Sequence, residues 1–387
     1  MPLDSIRILD FRGYADLAVA FGPGPQIIWG LNAAGKTSLL EAIVVIAWGR
    51  SHRVTADGEL IRWDRELARV EGAVGGETIE VAIVRTGVAG GGRKRIRVNG
   101  VGRRAATLIG VLPVVVFAPE EMTLIAGSPG PRRAALDQIA SQRSPSYAAD
   151  LATYGRALAQ RNSLLRAIRE ETASRDELRY WDGPLLDAGG AIVAARLRLL
   201  EELAAPLAQA HAEIAPEESA AAPLLVRYET NAPALPGETP RDALARRLAD
   251  TADKEVWNGA TLVGPHRDDL VFEMAGRDLA TFASRGQQRT AILAFKMAEL
   301  DLLASFLGRP PLLLLDDVFS ELDPDRRAHL VRRIAALPQA FVTTTTLEDL
   351  DRGLVDVAAT WEVRAEQVGA RLIGPRASGA PADEARE

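Results

Sequence analysis

The strongest chemical signal in the sequence is a run that fits the pattern G-x-x-x-x-G-K-[ST], and it comprises Gly30, Leu31, Asn32, Ala33, Ala34, Gly35, Lys36 and Thr37. Glycines in such a loop let the backbone wrap around phosphate groups and point its N–H groups inward. An apolar run precedes it, and an apolar helix is predicted to follow and to add partial positive charge at its N-terminus. Ser38, in the first turn of this helix, is also predicted to contact the nucleotide. The pattern predicts that the Lys36 ammonium reaches the β- and γ-phosphates of a nucleotide and that the Thr37 hydroxyl ligates Mg²⁺. The alternative is a chance glycine turn before a helix.

A second signal is a pair of carboxylates, Asp316 and Asp317, directly after four leucines. Such an apolar run predicts a strand covered on both faces, and the carboxyl end of such a strand is where open α/β sheets bind ligands. Asp316 is then placed to hold Mg²⁺, and Asp317 to orient or deprotonate an attacking water. The alternative is that the two acids cap the next helix.

A third signal is the segment 284–289, which we call the signature segment and which includes Ser284, Gly286 and Gln287. It precedes an amphipathic helix, and small residues at a helix start expose backbone N–H groups that suit a phosphate. An ordinary capped helix is the alternative. Farther along, Ser320, Leu322 and Asp323 form an S-x-L-D run just after Asp317.

The elements that must position these residues divide the chain into three regions. Short β-like runs and a strong helix in 1–119, and again β-like runs in 261–373, predict an α/β fold. Residues 120–260 are predicted to be mainly helical, and Pro206 is expected to kink or split the helical stretch 188–214. Residues 374–387 are polar and rich in Ala and Pro, which predicts a disordered tail. Strands are predicted at 5–9, 26–29, 79–84, 114–117, 312–315 and 341–345.

Composition excludes several classes of protein. The 387 residues predict two or three domains. No cysteine is present, which excludes disulfides and thiolate chemistry, and the four histidines are scattered without metal-ligand spacing. We find no apolar run of about 20 residues and no signal peptide, so a soluble cytoplasmic protein is expected.

The net charge of −6 excludes a uniformly basic protein but leaves room for a local basic surface. Between residues 81 and 119 there are seven bases and no acid. We call four of them the basic patch: Arg93, Lys94, Arg95 and Arg97. Such residues give sequence-independent affinity for DNA phosphates, whereas a solvated hairpin is the alternative. Further candidates for contact with nucleotide or DNA are Arg50, His52 and Arg53, with packing and ion pairing as the alternatives. Arg132 and Arg133 are candidates for DNA contact, with helix capping as the alternative.

The order of these motifs resembles the ABC-type ATPase heads of the SMC and Rad-fifty class. The resemblance implies a P-loop head built from N- and C-terminal segments, here 1–119 and 261–373, with a mainly helical second lobe, 120–260, inserted between them. It also implies an ATP sandwich between two copies of the chain. Lys36, Thr37, Asp316 and Asp317 would act in one copy, and Ser284, Gly286 and Gln287 would act on the nucleotide of the other.

A closer resemblance, to the RecF family of recombination mediators, is carried by further runs: 49–53, 127–137, 154–165 and 264–269. It implies an ATP- and Mg²⁺-dependent homodimer on double-stranded DNA near single-strand gaps, which helps to load RecA with RecR and RecO, and it assigns 266–269 to the nucleotide-binding head. The Q-loop glutamine has no clear counterpart near 117–121. The usual catalytic glutamate is Asp317, and Thr343 to Thr346 replace a histidine, so weak, DNA-dependent ATP hydrolysis is expected.

Two other functions fit parts of the sequence. A transporter ATPase subunit would share the phosphate loop, but the long insert between this loop and the signature segment argues against it. An ATP-gated DNA clamp or scaffold without useful turnover is favoured by the substitutions at Asp317 and Thr343.

Overall fold

The computed structural model describes residues 2–87 and 90–376. The strands in chain order are β1 (Leu3–Phe11), β2 (Tyr14–Ala20), β3 (Gly24–Trp29), β4 (Leu67–Val74), β5 (Glu77–Arg85), β6 (Gly92–Val98), β7 (Val101–Arg103), β8 (Val114–Phe117), β9 (Leu225–Glu229), β10 (Asp269–Met274), β11 (Arg277–Asp278), β12 (Leu312–Asp316), β13 (Gln339–Thr344), β14 (Ala359–Glu366) and β15 (Gly369–Arg376). The helices are α1 (Lys36–Trp48), α2 (Pro129–Arg143), α3 (Pro145–Arg169), α4 (Arg179–Ile214), α5 (Pro216–Ala221), α6 (Pro240–Asn258), α7 (Leu279–Phe282), α8 (Arg285–Leu307), α9 (Pro324–Ala335) and α10 (Arg352–Val357).

The described chain forms two compact units. Unit 1 comprises residues up to Thr123, Glu213–Pro216, and the residues from Ile292 onward. Unit 2 comprises Leu124–Ala212 and Glu217–Ala291. The second boundary differs from the prediction, because residues 261–291 belong to unit 2 rather than to the α/β head. The physical reason is pairing: β10 hydrogen-bonds to β9, which lies in the region predicted as helical.

Unit 1 consists of two six-stranded sheets with α1 between them. One sheet is antiparallel, with the order β2-β1-β4-β5-β6-β7. Helix α1 is apolar nearly all round and contacts β4 and β5 of this sheet as well as β12 and β13 of the other. A helix that buries every face must be apolar on every face. This explains the continuous run from Leu39 to Trp48, which is interrupted only by Glu41.

The second sheet of unit 1 positions the predicted chemistry. Its order is β15-β14-β3-β13-β12-β8, and β14, β3, β13, β12 and β8 run parallel. The phosphate loop follows β3, and Asp316 ends β12, with β13 between these two strands. Parallel strands end at the same edge, so the loop and the carboxylate meet at the edge where open α/β sheets bind ligands.

Unit 2 combines helices with a small antiparallel sheet of order β11-β10-β9. Helix α2 contacts α3 and β10, and α3 contacts α6. The helix is not split at Pro206, because α4 continues as one helix through Pro184 and Pro206. The predicted disordered tail, 374–387, begins three residues too early, because Gly374 to Arg376 belong to β15. The remainder of the predicted tail, 377–387, lies outside the described residues.

Candidate nucleotide-binding site

The phosphate loop adopts a backbone conformation that depends on two glycines. Gly30 and Gly35 have φ angles of 151° and 118°, which side chains rarely adopt. A Cβ on Gly30 would lie 2.3 Å from the carbonyl oxygen of Val363, and a Cβ on Gly35 would lie 2.9 Å from the Cβ of Ala370. The absence of side chains at both positions therefore lets the loop pack against the hairpin of β14 and β15.

Lys36 begins α1 and is buried within the curve of the loop. Its Nζ donates hydrogen bonds to the carbonyl oxygens of Gly30, at 2.6 Å, and Leu31, at 3.0 Å. Burial lowers the pKa of the Lys36 ammonium, and the carboxylates of Asp316 and Asp317 act in the opposite direction. The predicted cationic residue and the two predicted acids therefore lie close enough to influence one another.

Asp316 is 4% exposed and accepts hydrogen bonds from two hydroxyls. Its Oδ1 accepts from Thr37 Oγ1 at 3.1 Å and from Thr343 Oγ1 at 2.7 Å. Thr343 lies on β13, so the strand order brings all three side chains together. The structure thus joins the two predicted metal ligands, Thr37 and Asp316. It adds Thr343 as a positioning residue, where the sequence showed only the replacement of a histidine.

Asp317 occupies a tight left-handed turn immediately after β12. Its φ is 53°, and its N–H donates to Thr343 Oγ1 at 2.9 Å. Aspartate tolerates this region better than most side chains, and such conformations concentrate at functional sites. The alternative that the paired acids cap the next α-helix is wrong, because Asp323 caps α9.

A buried ion pair that the sequence analysis missed lies beside the phosphate loop. Glu41 is fully buried in α1, and its two oxygens accept from Arg12 Nε and Nη2, each at 2.8 Å. Ser51 Oγ donates to the same carboxylate at 2.5 Å. These bonds lower the pKa of Glu41 against the effect of burial. The sequence signal that could have predicted this ion pair is a single acid, Glu41, within an otherwise apolar helix.

The contacts of His52 and Arg53 fit the packing and ion-pairing alternatives. His52 is half-buried, and its pKa is lowered by this burial. Arg53 Nε forms an ion pair with Glu120 Oε1 at 3.1 Å. Arg53 therefore has an acidic partner within unit 1, and His52 is partly packed there.

The signature segment lies in unit 2 and begins helix α8 with reciprocal hydrogen bonds. Gln287 N donates to Ser284 Oγ at 3.2 Å, and Ser284 N donates to Gln287 Oε1 at 3.0 Å. This is a capping box, in which two orphan backbone donors are satisfied. The carbonyl of Gly286 accepts from Thr290 Oγ1 at 3.0 Å. Within one chain, the segment therefore forms the capped helix start that was the alternative. Ser284 is nevertheless exposed to solvent.

The segment 266–269 belongs to unit 2, which corrects its assignment to the nucleotide-binding head. His266 Nδ1 and Tyr154 Oη share a hydrogen bond at 2.6 Å, and burial lowers the pKa of His266 to about 4. Asp269 accepts two hydrogen bonds from Arg132, each at 2.8 Å. Arg132 also donates to the carbonyls of 124, 125 and 127, and Arg133 donates to the carbonyl of Asp268. These residues hold unit 2 together.

The basic patch lies on β6, but its four members do not share one face. Because side chains alternate along a strand, the three arginines point to one side and Lys94 to the other. Lys94 Nζ pairs with Asp57 Oδ1 at 2.9 Å, and Arg97 lies 3.6 Å from Glu80. Within the described residues, Arg93 and Arg95 form no ion pair and are exposed. The exposed arginine face therefore comprises Arg93, Arg95 and Arg97.

Residues 2–87 and 90–376 lack two features. No group of three or more His, Cys, Asp or Glu side chains is arranged to hold a metal ion. No helix in the same residues combines the length and the apolar character needed to cross a membrane.

Comparison with known proteins defines the class of the chain. A family model described as "RecF/RecN/SMC N terminal domain" matches residues 2–364. The chain is also similar to a solved structure described as "Structure of the recombination mediator protein RecF-ATPrS in RecFOR pathway". The TM-score is 0.83 and the sequence identity 31%, over 96% of this chain and 98% of that one. The fold is therefore the predicted α/β, ABC-type P-loop ATPase head with a mainly helical insertion.

Curated relatives identify the branch of this class. "DNA replication and repair protein RecF" of Limosilactobacillus fermentum is 39% identical over 364 residues, which cover 92% of this chain and 95% of that protein. The protein of the same description from Chloroflexus aurantiacus is 41% identical over 398 residues, covering 95% and 99%. The chain therefore belongs to the RecF proteins.

Proposed function

We propose that this chain is an ATP-dependent DNA-binding protein of recombinational repair and replication restart, with weak, DNA-dependent ATPase activity. The observation that carries the proposal is the meeting of Lys36, Thr37 and Asp316 at one edge of the parallel sheet. A loop rich in backbone N–H groups, the Lys36 ammonium and the Asp316 carboxylate are the parts needed to hold a nucleoside triphosphate with its metal ion. The relative described as RecF-ATPrS supports adenine nucleotide as the ligand.

The residues present fit Mg²⁺, the proposed cofactor. The Thr37 hydroxyl and the Asp316 carboxylate are hard oxygen donors, and their oxygens lie 3.1 Å apart. When bound, Mg²⁺ would neutralise negative charge on the phosphates. Thr343 would keep Asp316 in place, because its hydroxyl donates to the same carboxylate oxygen.

Hydrolysis is proposed to depend on Asp317, which would orient or deprotonate the attacking water. Its carboxylate is one methylene shorter than the usual glutamate, so it reaches less far toward a γ-phosphate. Slow turnover is the expected result, and it suits a protein in which ATP acts as a timer. Lys36 would stabilise the charge that develops on the phosphates.

Dimerisation is proposed to require the signature segment of a second copy. Ser284, Gly286 and Gln287 would contact the γ-phosphate held by the first copy. The exposure of Ser284 supports this role. Its capping bond uses a lone pair of Oγ as acceptor, which leaves the hydroxyl proton available to donate to a phosphate oxygen.

The DNA partner is proposed to be a duplex near a single-strand gap or junction, bound in part by the exposed arginine face. The names of the relatives and of the RecFOR pathway support this class of function. In that setting the chain would assist RecA loading with RecR and RecO in the cytoplasm. ATP binding would favour the DNA-bound dimer, and hydrolysis would release it.

Sedimentation with ATP, ADP or no nucleotide, each with and without duplex DNA, tests the proposal. We expect a dimer with ATP and a monomer with ADP or without nucleotide. Ser284→Arg should bind ATP but remain a monomer, because the larger side chain blocks the shared site. A wild-type chain that stays monomeric when saturated with a non-hydrolysable analogue contradicts the proposal.

An ATP-gated clamp without useful turnover is the second candidate, favoured by Asp317 and Thr343 in place of the usual glutamate and histidine. Steady-state phosphate release with and without duplex DNA separates the two. Turnover that duplex DNA stimulates supports the ATPase. ATP-driven dimerisation without turnover supports the clamp.

A further inference from the structure

A cavity of about 480 Å³ continues from the phosphate loop of unit 1 to an exposed tryptophan. On one side it is lined by loop and helix residues that include Ala34, Gly35 and Ser38. On the other it is lined by Ile61 and Trp63, and the turn between β14 and β15 closes a third side. We propose that the indole of Trp63 is the surface on which the nucleobase stacks, an inference that rests on the proposed binding of ATP.

The backbone beneath Trp63 is anchored. Residues 62–65 form a turn in which Arg65 N donates to the carbonyl of Arg62 at 3.2 Å. Arg62 N donates to the carbonyl of Asp10 at 2.9 Å, and Arg62 Nη2 donates to the carbonyl of Val368 at 2.6 Å. The turn is therefore tied both to the end of β1 and to the turn between β14 and β15.

The side chain carried by this anchored turn is 90% exposed. A tryptophan offers 150–250 Å² of mostly apolar surface, so leaving it in water forgoes a large stabilisation. Asp64 follows it with a left-handed φ of 58°, a conformation that also costs energy for a residue with a side chain. Anchoring, exposure and a neighbouring unfavourable conformation together indicate that the indole is presented to a ligand.

The cavity runs from the phosphate loop to Trp63, so it offers space for the part of ATP that the loop does not hold. With the β- and γ-phosphates in the loop, the ribose and base would extend past the first turn of α1, where Ser38 lines the cavity. A flat aromatic base and an exposed indole stack favourably, and this contact does not depend on hydrogen-bond pattern. Trp63 would therefore add affinity for the nucleoside part of the ligand, while Lys36 and the loop bind the phosphates.

Calorimetric titration of the full chain with Mg²⁺ and either ATP or inorganic tripolyphosphate separates these contributions. Trp63→Ala should weaken ATP binding roughly 5- to 150-fold and leave tripolyphosphate binding unchanged. Trp63→Phe should retain most of the ATP affinity. Trp257→Ala is the matched control, because Trp257 is 81% exposed on α6 of the other unit, and it should alter neither affinity.

Each other outcome overturns the inference. If Trp63→Ala binds ATP like the wild type, the base lies elsewhere although the proposed function stands. If both ligands weaken equally, Trp63 supports the loop rather than the base. If the wild-type chain binds neither ligand, the proposed function is wrong and the inference falls with it. Tryptophan fluorescence gives a second readout: ATP, but not tripolyphosphate, should quench the wild type, and Trp63→Phe should lose this quench.

Discussion

Two buried charges, one in each unit, meet different kinds of partner. In unit 2, Arg196 is 2% exposed and donates to Asp137, the hydroxyls of Tyr147 and Tyr228, and the carbonyl of Pro265, at distances of 2.8 to 3.2 Å. In unit 1, Asp316 is almost as buried, yet the donors it meets are two neutral threonine hydroxyls. No Lys or Arg in the described residues forms an ion pair with Asp316.

We take this difference to separate a charge that holds the fold, Arg196, from one that is proposed to bind a cation, Asp316. A buried ion with a full set of charged and polar partners stabilises its surroundings only while every partner is present. A buried carboxylate with hydroxyl donors alone keeps the capacity to bind a cation. Mutations in the first network should therefore reduce stability, and mutations in the second should reduce activity.

The largest expected effect is on stability, from Arg196→Met. Removing the guanidinium leaves the half-buried Asp137 and the carbonyl of Pro265 without their main donor, and the free energy of unfolding should fall by about 3–5 kcal/mol. Urea denaturation measures it. Arg198→Met, on an exposed site of the same helix, is the control and should change little. Equal stability of the two variants would mean that the network contributes no net stabilisation.

Lys36→Arg tests the opposite kind of site. The bulkier guanidinium should still attract phosphates, but it cannot reproduce the bonds of Nζ within the loop, so hydrolysis should fall about 100-fold or more while some nucleotide binding remains. Phosphate release measures the first and calorimetry the second. Lys254→Arg is the control, since Lys254 is exposed on α6. Wild-type turnover in Lys36→Arg would refute the assignment of the loop.

The pH dependence of stability provides a third test, through His266 of unit 2. Its folded-state pKa of about 4 lies below the usual 6.5, so folding favours the neutral ring. The stabilisation is complete above pH 6.5 and is lost as the pH falls toward 4; between pH 7.5 and 5 it should decrease by about 2 kcal/mol. His266→Gln should remove this component from a series of urea denaturations. An unchanged pH profile would show that His266 protonates equally in both states.

Thr343→Val sharpens the comparison at the carboxylate itself. The variant keeps the shape of the side chain but removes the donor to Asp316 and the acceptor for Asp317 N–H. We expect Mg²⁺-dependent ATP affinity to fall roughly 10-fold, in line with the loss of about one well-placed buried hydrogen bond. Thr345→Val, two residues farther along, is the control. A loss of stability without a change in Mg²⁺ dependence would assign Thr343 to the fold alone.

The smallest effect is expected at the exposed arginine face. Replacing Arg93, Arg95 and Arg97 by Gln should weaken duplex binding. It should also reduce the slope of log K against log salt concentration by the equivalent of up to about three ionic contacts. Lys94→Gln should alter the slope little, because Lys94 faces the other side of β6 and pairs with Asp57. Fluorescence anisotropy at several salt concentrations measures both. If Lys94→Gln changes the slope as much as the arginine variant, the DNA surface has been misassigned.

The sequence predicts the phosphate loop and Asp316 well because each is a local pattern with a recognisable flanking element. Thr343 was not predictable as a partner of Asp316, since its place depends on β13 lying between β3 and β12. The segment 266–269 misled for a related reason. Its charges resemble a loop of the head, but their partners are Tyr154 and Arg132, more than a hundred residues earlier. By contrast, the sequence could have predicted that Lys94 faces away from the three arginines, because side chains alternate along a strand.

The close approach of Gly30 to Val363, and of Gly35 to Ala370, also bears on how the protein is made. Synthesis proceeds from the N-terminus, so the phosphate loop leaves the ribosome long before the hairpin that packs against it. The phosphate loop of a nascent chain would pack against this hairpin only after residue 370 had left the ribosome. Nucleotide binding would therefore be delayed until nearly all of residues 2–376 had been translated.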